Sequence, residues 1–158
     1  MLPEILTFEQ LVRSAFADAP KLAIEDNSTD LQYEPEVDFS QYWWDLSPAF
    51  VNPENARSLS QATFLFLLPL YLIATVRYEW CSRGALLKVL YTPGSPDANP
   101  PEDWWSRFGE WNFLVNRLSG PQKHAIRVWL EIVNESERYA GGYSGEIEEM
   151  LANYWGAY

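Results

Sequence analysis

ATFLFLLPLYLIATV, residues 62–76, is the least polar stretch of the chain. Whether it crosses a membrane or fills a core decides the fold. No charge occurs between Arg57 and Arg77, a run of 19 residues. As a helix that run is about 28 Å long, just enough to span a bilayer. Three features count against a span. Its first residues, Ser58, Leu59, Ser60 and Gln61, are mostly polar. Pro69 lies mid-run, where it removes a helix hydrogen bond and crowds the preceding turn. The flanks carry no strong basic cluster to set an orientation. The stretch therefore reads as buried core, with no membrane association. On this reading Pro69 opens a new helix, PLYLIATVRYEW (69–80), because a first-turn proline gives up no hydrogen bond. Leu72, Ile73, Val76 and Trp80 share its apolar spacing. ATFLFLL becomes a short helix or an extended piece beneath it.

Working outward, TFEQLVRSAFA (7–17) has a capping box in Thr7 and Gln10, then Phe8, Leu11, Val12, Ala15 and Phe16 at helical spacing. Pro20 ends it. Residues 25–41 read as an acidic surface segment or loop. QYWWDLSPAFVNPEN (41–55) is aromatic but broken by Pro48 and Pro53, so Trp43 or Trp44 is expected to pin it to the core with only short secondary structure. GALLKVLY (84–91) is too short for periodicity to choose between helix and strand. TPGSPDANPPED (92–103) holds four prolines and one glycine, so 92–102 reads as a Pro-rich loop inside one domain. DWWSRFGEWNFLVNRL (103–118) reads as helical, with Gly109 as a break. Ser119 and Gln122 form a second capping box, opening a helix to about Asn134 with Ala125, Ile126, Trp129, Ile132 and Val133 inward. After AGGYSG (140–145), a last helix carries Ile147, Met150, Leu151, Tyr154 and Trp155 on one face. The fold class that follows is mostly α: one helical domain, 1–158, of about five helices, with long irregular segments near 20–58 and 92–102.

The order of these segments resembles an uncharacterised family of small acidic bacterial proteins, known as a domain of unknown function. The residues that carry the resemblance are AFADAP, WWDLS, FLFLLPLYLIA, RLSGPQKHAIRVWLEIV and LANYW. The family pattern has a central Leu-Pro-x-Tyr/Phe-Leu helix, a Leu-Ser-x-x-Gln helix start and a terminal Tyr-Trp helix. The resemblance implies an all-helical acidic domain and supplies no activity and no catalytic residues. The Pro-rich loop is this chain's departure from the pattern.

The chain has 158 residues, 25 of them aromatic, and a net charge of -11. That is enough apolar side chain for a core without disulfide or metal. One cysteine, Cys81, forms no intramolecular disulfide, and MLPEILTFEQ lacks the basic start of a secretory signal, so a cytoplasmic location is expected. Residues 1–56 hold 11 acids and two bases, Arg13 and Lys21. EDNSTDLQYEPEVD (25–38) holds six acids and no base. Such a surface repels nucleic acid and anionic membrane and speeds encounter with basic partners; it also serves solubility alone.

Most catalytic patterns are missing. The single histidine, His124, reads as a surface residue, and Cys81 as a small buried hydrophobe. One His and one Cys make no zinc pattern, and neither a P-loop nor a nucleophile elbow occurs. GGYSGE (141–146) reads as a turn, since its glutamates oppose an anion. DNSTD (26–30) lacks the Gly and Glu of an EF-hand, with Leu31 and Val37 in their places. No metal or other cofactor is expected. Adjacent tryptophans point about 100° apart on a helix, so Trp43-Trp44 and Trp104-Trp105 each call for one wet ring.

The sequence thus favours a non-enzymatic, protein-binding role, with immunity or inhibition of a basic, nuclease-like partner as its sharpest form. The candidate interface is Glu34, Glu36, Asp38, Tyr42, Trp43 and Asp45. A carboxylate-dependent enzyme is the alternative, with Asp45 and Asp103 acting on a sugar or with a divalent metal. A scaffold subunit, with 62–76 at a homo-oligomer interface, is the third reading.

Overall fold

The central apolar stretch is one continuous helix in the computed structural model, which describes residues 3–22, 31–91, 116–140 and 142–158. The described residues form five α-helices, with 3-10 turns in 31–58 and after the last helix, and no strand among them. We label the helices α1 (Pro3–Ala15), α2 (Gln61–Arg77), α3 (Gly84–Leu90), α4 (Gly120–Ala140) and α5 (Ser144–Asn153). The mostly α expectation holds. The chain divides into two compact units, Met1–Leu86 and Leu87–Tyr158. Residues 92–102 and 103–115 lie outside the described residues.

In the first unit, α2 corrects the expected break at Pro69. The helix runs straight through it. Proline has no N–H, so the Leu65 carbonyl loses its usual helical donor. Burial explains why the helix tolerates this. Leu67, Leu68, Leu70, Tyr71 and Leu72 are all fully enclosed, so packing on every side outweighs one backbone bond. Ser60 caps α2, its Oγ accepting from Thr63 N–H at 3.4 Å. At the far end the Arg83 Nε–H donates to the Thr75 carbonyl at 3.2 Å. α2 stops at Arg77, and Trp80 is not on its buried face: it is 64% exposed, stacked against Tyr78 at 5.3 Å. No helix among the described residues is long and apolar enough to cross a membrane.

α1 packs on α2; Phe8 and Val12 on it, and Phe16 just past its end, are buried at the spacing expected. Its start differs. The helix begins at Pro3, with Glu4 in the first turn, and Thr7 lies inside it. Proline and an acid are both favoured at a helix start, and here they prevail over the Thr7–Gln10 pair. Glu9 is drawn in as well. Its Oε1 accepts from Arg13 Nη2 at 3.0 Å, and its Oε2 lies 3.7 Å from Arg77 Nη1.

In the second unit the expected capping box is present. Ser119 N–H donates to Gln122 Oε1 at 3.0 Å, and Gln122 N–H to Ser119 Oγ at 3.4 Å. α4 continues beyond Asn134 to Ala140. Ala125, Ile126, Trp129 and Val133 are buried on it as expected, and Leu130 is buried in place of the expected Ile132, which is half-buried. Ile147, Met150 and Trp155 are among the other buried residues of this unit. Trp155 lies past α5, in a 3-10 turn, with its indole N–H on the Leu90 carbonyl at 3.0 Å. The short segment 84–90 resolves as helix.

Candidate functional site

Residues 31–58 are a run of 3-10 turns laid against α2. Pro48 and Pro53 each stand at the first or second position of a turn, and the Ser47 and Asn52 side chains cap those turns. These are the positions where the chemistry of proline and of short polar side chains fits best. The prolines that break helix periodicity therefore build the segment.

Two candidate interface residues turn out to anchor it. Trp43 is fully buried, its indole N–H donating to the Phe16 carbonyl at 3.0 Å and its ring edge-on to Phe16 at 6.3 Å. Glu34 is only 2% exposed. It accepts from the Tyr71 hydroxyl at 2.6 Å and from the Asn52 N–H at 3.0 and 3.1 Å. Burial pushes its carboxyl above the usual range, and hydrogen bonds from Tyr71, Asn52 and Asn55 pull the other way. Neither residue is on the surface, which corrects their place in the expected interface. An indole is worth more in a core than in water. A carboxylate can follow it inside when backbone and hydroxyl donors converge on it. Arg13 ties the same segment to α1: its Nη1–H donates to the Trp44 carbonyl at 3.3 Å.

The other candidates face outward. Glu36, Asp38, Tyr42 and Asp45 are all exposed. Asp38 is organised by its own neighbours, accepting from Ser40 N–H at 3.1 Å, Ser40 Oγ–H at 2.6 Å and Gln41 Nε2–H at 2.9 Å. The Ser40 and Gln41 donors hold its carboxyl below the ordinary value. Two turns fold the stretch back on itself. Gln41 N–H donates to the Asp38 carbonyl and Asp45 N–H to the Tyr42 carbonyl, both at 3.1 Å.

Tyr42 stacks on Trp44, with ring centroids 4.3 Å apart and planes 9° from parallel. Trp44 is half-buried, so in the Trp43-Trp44 pair one ring is core and the other is wet, as expected. Lys21 reaches the same place, its ammonium 4.5 Å from the Tyr42 ring centroid. Sequence reading missed Trp44 and Lys21 as members of this site. The aromatic run signalled Trp44. Nothing local signalled Lys21, which lies 21 positions before Tyr42.

Of the alternative acid pair, one member lies among the described residues. Asp45 is exposed, and Asp103 lies outside the described residues, as do Trp104 and Trp105. Among the described residues no group of three or more His, Cys, Asp or Glu is placed to hold a metal. His124 is exposed on α4 and Cys81 is buried, as expected of each. Compared with protein-family models, with curated proteins and with solved structures, the chain matches none.

Proposed function

We propose that this protein is a non-enzymatic, acidic binding module for a basic protein. In its sharpest form it is an immunity or inhibitor protein that covers the nucleic-acid site of a nuclease-like partner. One observation carries the reading: Glu36, Asp38 and Asp45 are exposed on the same short segment as the stacked Tyr42–Trp44 pair, and that segment is held to the core by Trp43 and Glu34. No base occurs between Lys21 and Arg57 to offset these charges. Carboxylates supply steering and mimic phosphate, and aromatic rings supply slow dissociation. A segment already pinned in place loses little entropy on binding.

The test uses charge reversal. Immobilised protein captures its partner from lysate at low salt, and the triple variant E36K/D38K/D45K is the comparison. For the purified partner, association should slow by roughly tenfold or more in the variant, with the difference shrinking as salt rises. Equal association rates at low salt would overturn the proposal.

A further inference from the structure

We infer that the outer face of Tyr42 is a seat for an arginine side chain of the basic partner, and that the chain's own Lys21 fills this seat in the free protein. The inference rests on the binding role proposed above and names the group that would be recognised there.

The Tyr42 ring has two faces. Trp44 lies parallel to one of them at 4.3 Å, a spacing that leaves no room for a cation between the rings. The Lys21 ammonium, 4.5 Å from the ring centroid, therefore stands over the other face. Tyr42 is 38% exposed and Lys21 is exposed too, so this contact is open to water and open to exchange. Its energy is small: an exposed cation–π contact of this kind changes an equilibrium by about 2- to 5-fold.

The surroundings favour a guanidinium over the resident ammonium. Asp38 and Asp45 are four residues before Tyr42 and three after it. Both are exposed carboxylates in the turns that flank the ring. A guanidinium is planar. It stacks on an aromatic face and still directs its N–H groups sideways to carboxylates. An ammonium is a compact, strongly hydrated charge that gains less from the same place. Lys21 is thus a placeholder. It keeps the ring face covered when no partner is present, and it weakens the first encounter slightly because it must leave.

The test is a double-mutant cycle with a defined probe, a nona-arginine peptide titrated at low salt into the full chain. Lys21→Met keeps the apolar stem and removes the cation. Tyr42→Leu removes the ring face from an exposed position. Lys21→Met also makes the protein more acidic, but that general effect cancels in the cycle. The expected result is that Tyr42→Leu costs little with Lys21 present and about 2- to 5-fold more peptide affinity in the Lys21→Met background. In the free protein the Lys21 side-chain protons should be shifted upfield by the ring current, and the peptide should return them to ordinary values. An equal loss in both backgrounds, with the peptide still bound, overturns the seat and leaves the acidic binding role standing. A nona-lysine peptide showing the same coupling overturns the preference for arginine. No peptide binding by any variant overturns the seat, whatever the charge-reversal experiment shows.

Discussion

The Tyr71 hydroxyl, in the middle of the most apolar helix, donates a 2.6 Å hydrogen bond to Glu34. The helix thereby holds the acidic segment through a carboxylate that the segment itself supplies. Glu34 also accepts the Asn52 N–H, so one buried side chain joins the beginning of the 31–58 run, the cap of its last turn and α2. The two groups depend on each other, because without Glu34 the fully buried Tyr71 hydroxyl loses its carboxylate partner.

The pH dependence of stability follows from this carboxyl. Its folded value is raised above the ordinary 4.5 by burial. Below 4.5 the group is protonated in both states, and its contribution is fully present. Between 4.5 and the raised folded value the folded state holds the proton more tightly, so stability falls as pH rises. Glu34→Gln should remove this component, so wild type loses melting temperature relative to the variant across that interval. Asp38, whose value is lowered, acts below its ordinary 3.8 and in the opposite sense. Thermal melts of wild type and E34Q from pH 4 upward check this; parallel curves would refute it. Glu34→Ala should cost about 2–4 kcal/mol below pH 4.5, where the contribution is complete, and less as pH rises, since it removes the carboxyl that accepts from the Tyr71 hydroxyl and the Asn52 N–H.

Trp43 and Trp44 should separate cleanly in denaturant titrations. Trp43→Ala removes a fully buried indole and its bond to the Phe16 carbonyl, at a cost of about 3–5 kcal/mol. Trp44→Phe keeps a ring beside Tyr42 and should stay within about 1 kcal/mol. Equal losses at the two positions would contradict the placement of Trp43 as anchor.

Ser119→Ala breaks the capping box at the start of α4. The loss should be about 1 kcal/mol. Amide exchange should speed up at Gln122 and in the first turn, because the Ser119 hydroxyl is the acceptor for the Gln122 N–H. Unchanged exchange there would show that the cap contributes nothing.

Cys81 is buried, and its thiol is pushed up, first by burial and then by the charge of Glu34. A thiolate-selective reagent should therefore label native protein slowly and unfolded protein at the rate of a free thiol. In the E34Q variant labelling should be faster than in wild type, because the charge that disfavours the thiolate is gone. Equal rates in native wild type and E34Q would break that link.

Local chemistry determined much of this protein, and the sequence showed it. The apolar faces of Phe8, Val12 and Phe16 and of Ala125, Ile126 and Trp129 are periodic, so a helix buries them wherever the core lies. The Ser119–Gln122 box spans four residues and is complete in itself. The turns at Pro48 and Pro53 are local in the same way. Only the tertiary structure decided the rest. Pro69 stays in mid-helix because packing from all sides outweighs a missing hydrogen bond, and no window of sequence contains that packing. Glu34 looked like its exposed neighbours Glu36 and Asp38. What takes it inside is a hydroxyl 37 positions away. Lys21 meets Tyr42 for the same reason: partners distant in the chain are chosen by where the elements dock, and a one-dimensional pattern does not record that choice.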